Sequence, residues 1–194
     1  MPAPARKPAT YDDVLRAPRH LVAEVFDGEL HLSPRPGKPH AAAASALGEE
    51  LGPPFKRGRG GPGGWILLFE PELHLGPDIL VPDLGGWQRT RMPTLLADVP
   101  FFTLAPDWVA EIVSPTTEKY DRTDKLDIYR REKVAWVWIV DPLQKTLEVL
   151  KGGEEGWILR GTWRDEARVR AEPFAAFELD LSLLWADVTL PGPG

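Results

Sequence analysis

Asp83, preceded by Pro82, and Glu111, set in the apolar run Trp108-Val-Ala-Glu-Ile-Val113, are the residues whose types and spacing could do chemistry, together with Lys125 farther along. A carboxylate inside an apolar strand is costly unless a cation, an arginine or a metal stands beside it. Ligation by oxygen alone suits a hard cation. Magnesium, with manganese as a substitute, keeps several of its waters and takes one or two protein carboxylates. Such an ion activates a bound water and offsets charge developing on a phosphate. Two acids and a lysine are therefore the set a magnesium-dependent phosphodiesterase needs, with Asp83 and Glu111 on the ion and Lys125 orienting the water or touching the phosphate.

The elements that must position these groups follow from local pattern. Residues 78–83 read as a short strand whose last residue is acidic, and residues 108–113 as a second strand. Ser114-Pro-Thr-Thr-Glu118 supplies a loop and a cap, from Thr116 or Thr117, for a helix carrying Lys125. Asp121, Lys125 and Tyr129 are four apart and share one face, and acid before base favours an ion pair. Taken alone, an aspartate-lysine pair at this spacing reads as a solvated face.

Upstream, Thr10 and Asp13 form a capping box opening a short helix through Leu15. Residues 23–26 and 29–33 flank Asp27-Gly28 as a hairpin. Residues 34–39 are a proline-rich break before an alanine-rich helix, residues 40–51, which starts at His40 and is stopped by Gly52-Pro-Pro54. The glycine-rich residues 58–64 lack the Gly-Lys-Ser ending of a phosphate loop. Residues 65–69 and the stretches reaching Leu75 and Val81, turning at Gly76-Pro77, predict three sequential strands of an antiparallel core. Residues 84–106, with Gly85-Gly86 and three prolines, read as an irregular connection over the edge of the site. A strand at 135–140 stops at Asp141-Pro142, a hairpin joins 146–151 to 157–160, and apolar residues 181–185 close the chain.

Composition narrows the function classes. A length of 194 residues with 43% hydrophobic content suffices for a single domain, residues 10–186, between flexible ends at 1–9 and 187–194. The absence of cysteine rules out disulfides and thiolate metal sites, and the four histidines show no zinc spacing. No apolar run approaches a membrane span and no leader is visible, so a soluble, cytoplasmic protein with no membrane contact is expected. A net charge of −6 opposes a strong sequence-independent hold on DNA. Basic groups that could still line one face are Lys56, Arg57 and Arg59; Arg89 and Arg91; and Arg130, Arg131 and Lys133, of which at least two sets read as solvated loops. The eight tryptophans are dispersed among strands and read as packing residues. His74, on a strand between Leu73 and Leu75, reads as facing solvent or a neighbour.

The runs Glu24-Val-Phe-Asp-Gly-Glu-Leu30, Pro71-Glu-Leu-His-Leu75, Val81-Pro-Asp83 and Val109-Ala-Glu-Ile-Val-Ser-Pro-Thr-Thr117 occur in order. They are followed by Asp121, Lys125, Tyr129 and Ala135-Trp-Val-Trp-Ile-Val-Asp-Pro142. Together they resemble the Uma-two family of restriction endonucleases, in the PD-(D/E)XK nuclease superfamily, over residues 11–184. The resemblance implies a mixed α/β (α+β) fold, a restriction-endonuclease-like central mixed sheet flanked by helices. It also implies a metal-dependent DNA endonuclease with Asp83, Glu111 and Lys125 as catalytic residues and Asp83 and Glu111 on Mg2+.

One position departs from the superfamily pattern, which places a lysine two residues after the strand acid: here that residue is Val113. Residues two apart on a strand point the same way, so Val113 faces with Glu111 and cannot do the work of lysine. The resemblance implies that the lysine has moved to the next helix, as Lys125; Glu24, His40 and Asp121 are the candidates for supporting residues. An acid at Glu24 is implied to lie near the metal, whereas an edge-strand glutamate would simply be exposed. His40 either contacts the scissile phosphate or orients Glu111, or it caps or packs; both readings stand. DNA is the implied partner, and cutting two strands calls for a homodimer. Two other classes remain: a nuclease-fold binding module without catalysis, and a metal-dependent hydrolase of another phosphoester such as RNA.

Overall fold

The structure is a computed structural model that describes residues 7–189. Thr10 and Asp13 close their capping box, Thr10 N–H donating to Asp13 Oδ2 at 2.8 Å, and start α1 (Tyr11–Arg16). β1 (Leu21–Phe26) and β2 (Glu29–Pro34) form the expected hairpin, with Asp27 at φ 52° and Gly28 at φ 71° supplying the left-handed turn. α2 (Lys38–Leu51) begins two residues earlier than expected, Pro39 sitting in its first turn where a missing N–H costs nothing. Gly52-Pro-Pro54 ends the α-helix at Leu51, as expected, but the chain keeps coiling beyond it. Both prolines fall in the first turn of a wider π-helical turn, Gly52–Lys56, closed by Arg57 N–H on Gly52 O at 3.0 Å.

β3 (Trp65–Phe69), β4 (Leu73–Leu75) and β5 (Asp78–Leu80) are strands, yet they are divided between two sheets. β4 and β5 join the first hairpin in a four-stranded antiparallel sheet, order β2-β1-β5-β4. β3 instead pairs with β6 (Leu84–Gln88), which occupies part of the stretch expected to be irregular. Gly85 and Gly86 hide this strand from a propensity reading. A Cβ on Gly86 would meet Trp108 Cε3 at 2.9 Å and Leu67 Cδ2 at 3.0 Å, so glycine is what lets neighbouring side chains lie over the strand.

β7 (Trp108–Ile112) pairs antiparallel with β6 and parallel with β8 (Trp136–Asp141). A parallel pair needs a crossover, supplied here by α3 (Glu118–Asp121) and α4 (Asp124–Arg131). The single expected helix is thus two, broken at Arg122-Thr123. β9 (Thr146–Gly152) and β10 (Trp157–Arg164) extend the sheet to the order β10-β9-β8-β7-β6-β3. β11 (Arg168–Val169), β12 (Leu179–Asp180) and a 3-10 turn at Leu181–Trp185 follow. Asp141 ends β8 by accepting from the N–H groups of Leu143 and Gln144 at 2.8 and 2.9 Å.

Both faces of this mixed sheet are buried. Trp108, Ala110 and Ile112 pack with Leu47, Leu51 and Phe174 on one face. Val109 and Val113 pack on the other with Ile128 and Tyr129 of α4 and with Leu73, Leu75 and Leu80 of the small sheet. Of the ends expected to be flexible, residues 1–6 and 190–194 lie outside the described residues, and Ala9 N–H donates to Gly28 O at 2.8 Å. Among the described residues no helix is long and apolar enough to cross a membrane.

Candidate active site

Leu84 stands opposite Ala110 and Gly85 opposite Val109 in the β6–β7 ladder; one further step puts Asp83 across from Glu111. Asp83 does not end the strand before it, because β5 stops at Leu80 and Pro82 has no N–H to continue a ladder. It immediately precedes β6 instead. Ile112 N–H donates to its Oδ2 at 2.7 Å, and His40 Nε2 lies 3.1 Å from its Oδ1. The buried Nδ1 of His40 has no partner. His40 therefore orients Asp83 rather than Glu111, and it provides no side-chain cap for α2.

Strand alternation sets the other half of the site. Val109, Glu111 and Val113 share the face under α4, so Val113 does face with Glu111, and both are buried. Lys125 arrives from α4. Its Nζ stands 3.1 Å from Glu24 Oε1, 3.1 Å from Asp121 Oδ1 and 3.4 Å from Glu111 Oε1. The aspartate-lysine pair is no solvated face: Asp121 is 2% exposed and Lys125 4%. Glu24 is buried because β1 lies inside its sheet, between β2 and β5, and its Oε1 also accepts from Val81 N–H at 2.8 Å.

All six residues singled out from the sequence line one cavity of about 340 Å3: Glu24, His40, Asp83, Glu111, Asp121 and Lys125. The basic loops do not reach it. Lys56 Nζ donates to Leu67 O at 2.8 Å, Arg91 pairs with Asp107 at 2.7 Å and Arg131 with Asp78 at 2.6 Å. No residue of 84–106 lines it either, so that stretch does not cover the site. His74 meets neighbours, with Glu72 at 2.8 Å and the Phe101 ring stacked at 3.7 Å.

The model of the Uma2 family, described as "Putative restriction endonuclease", matches residues 9–183. The chain belongs to the Uma2 family. The crystal structure of a "putative nuclease belonging to DUF820" from Anabaena variabilis ATCC 29413 has the same fold. It is 23% identical, with a TM-score of 0.70 over 92% of this chain and 98% of its own. No curated protein matches.

In this Uma2 chain three carboxylates, Glu24, Glu111 and Asp121, surround the Lys125 ammonium, and Asp83 adds a fourth negative group near Glu111. Burial, then the charges of Asp121, Asp83 and Glu24, push the Glu111 carboxyl well above the usual carboxylate range, against the pull of Lys125. Burial works against the Lys125 ammonium, but Glu111, Glu24 and Asp121 outweigh it and hold the amine well above an ordinary lysine. Lys125 is therefore protonated, and the cluster keeps an excess of negative charge that a divalent cation would offset. The donors are all oxygen, as a hard cation requires. Among the described residues no three His, Asp or Glu side chains are grouped as a ready-made cage for a metal ion.

Tyr129, placed by its spacing on the face of Asp121 and Lys125, carries a role at the site that its spacing alone does not assign. Its O–H donates to Glu111 Oε1 at 2.5 Å from a fully buried position, leaving Oε2 as the oxygen without a hydroxyl donor. The helical spacing from Asp121 through Lys125 was the available signal. The backbone donors Ile112 and Val81 had none, since they depend on how separate strands meet.

Proposed function

We propose that this protein is a metal-dependent endonuclease hydrolysing phosphodiester bonds in DNA. The observation that carries the reading is the placement of Asp83 across from Glu111 at the end of the β6–β7 ladder, in a cavity that also receives Lys125. Asp83 and Glu111 would hold Mg2+, or Mn2+ in its place. When bound, the ion would supply Lewis acidity toward the phosphate and lower the pKa of an attacking water. Ile112 N–H and His40 fix the Asp83 carboxylate; Tyr129 fixes that of Glu111. Lys125 stays cationic and within reach of Glu111, where it would orient the water or meet charge building on the phosphate. Two such cavities in a homodimer would serve the two strands of a duplex.

The test is nicking of plasmid DNA with magnesium or manganese. Asp83→Asn and Glu111→Gln are each expected to abolish it while the circular dichroism spectrum stays that of the parent. A variant that cuts as well as the parent removes that residue from the assignment. An RNA substrate run alongside separates DNA from another phosphoester.

One observation favours a second reading, a nuclease-fold binding module. The Lys125 ammonium is already surrounded by three carboxylates and serves as their counter-ion without any metal. On that reading manganese has no measurable affinity for the cavity, and the parent cuts nothing.

A further inference from the structure

Among the described residues, Lys125 and Arg35 are the only lysine and arginine lining the cavity, and their situations differ. The Lys125 amine is committed to Glu24, Glu111 and Asp121. His40 is committed to Asp83 at 3.1 Å. Arg35, in the connection between β2 and α2, has a side chain 55% exposed. Its guanidinium has only loose partners, Glu70 Oε2 at 3.7 Å and the carbonyl of Arg19 at 3.4 Å. An exposed pair of that length holds an arginine weakly. A phosphate approaching the acids would first meet this fork-shaped donor, whose geometry matches two phosphate oxygens.

Among the described residues, the rest of the lining, His40 apart, lacks the side chains that stack on a base or pair with adenine. It contains no aromatic ring for stacking other than His40, and no asparagine or glutamine for the paired donor and acceptor that adenine presents. The whole sequence has no asparagine, and its two glutamines, Gln88 and Gln144, lie outside the cavity. Ser33, Ser114, Thr116 and Thr117 supply hydroxyls, which suit phosphate and sugar oxygens as well as bases.

Resting on the phosphodiesterase reading, we propose that Arg35 grips the substrate through a phosphate oxygen and that this cavity recognises the nucleic-acid backbone without regard to base. Arg35 is then a substrate-positioning residue, distinct from the acids that would hold the ion.

The experiment is manganese-supported cleavage of two double-stranded oligonucleotides of equal length and unrelated base sequence, by the full chain and its Arg35→Ala and Arg35→Lys variants. The parent should cut both with similar kcat/KM. Arg35→Ala should raise KM about ten-fold on both substrates, the loss of one charge-assisted contact, with kcat within about two-fold. The slope of log kcat/KM against log salt should flatten by about one, the signature of one lost phosphate contact. Arg35→Lys should recover much of both. An unchanged KM, a loss confined to one sequence, or a strong preference of the parent for one substrate would overturn the inference while leaving the phosphodiesterase reading intact. A parent that cuts neither oligonucleotide nor plasmid would overturn both.

Discussion

Lys125 Nζ and Glu24 Oε1 stand 3.1 Å apart, joining α4, which covers the large sheet, to β1 of the small one. The site is therefore also the bolt between two sheets, and its charge balance bears on the fold as well as on chemistry. Removing the amine leaves Glu24, Glu111 and Asp121 buried without a cation.

Lys125→Met should accordingly destabilise the protein by about 3–5 kcal/mol at neutral pH, the usual cost of stripping one partner from a buried ion cluster. Urea unfolding of parent and variant measures it. A loss below about 1 kcal/mol would mean that the carboxylates find relief in water.

The raised Glu111 pKa has a definite sign in the stability of the ion-free protein. Above the ordinary carboxylate range the unfolded chain has released this proton while the folded chain still holds it. The stability Glu111 contributes is then lost as pH rises from about 5 toward its folded-state pKa, with a slope of up to about 1.4 kcal/mol per pH unit. Glu111→Gln should remove that slope. Urea midpoints at successive pH values, compared between parent and variant, give the difference; parallel curves would show that burial does not hold the proton there.

Tyr129→Phe removes one oxygen and keeps the ring in the core. It should weaken manganese binding about 10- to 100-fold, as loss of a partner behind a metal ligand commonly does. Titration calorimetry reads the affinity directly. Equal affinity in parent and variant would leave the 2.5 Å hydrogen bond a packing detail.

Gly86→Ala probes the strand that propensity conceals. The added Cβ meets Trp108 and Leu67 side-chain carbons at 2.9 and 3.0 Å, and Trp108 is fully buried, so overpacking should cost about 1–3 kcal/mol. Thermal melting checks it, and an unchanged melting temperature would imply that the Trp108 ring moves freely.

What was legible in the sequence was what local rules govern. Glu111 declared itself as a charge in an apolar strand, and Asp121, Lys125 and Tyr129 by a four-residue interval that survived the break at Arg122-Thr123. Asp27-Gly28 announced its hairpin through the left-handed backbone it needs. Order among strands is not local. Glu24 could be judged exposed because nothing near it in sequence says that β1 has neighbours on both sides, and β3 could be grouped with β4 because nothing near it says that its partner is β6. Gly85-Gly86 misled for a different reason: those glycines answer to side chains from other strands, not to a turn.

The most direct measurement is anomalous scattering from a crystal of the protein soaked in manganese. A single strong peak bonded to carboxylate oxygens of Asp83 and Glu111, with Lys125 Nζ beside it, is the expected result. A peak elsewhere, or none while the two carboxylates point away from each other, would contradict it.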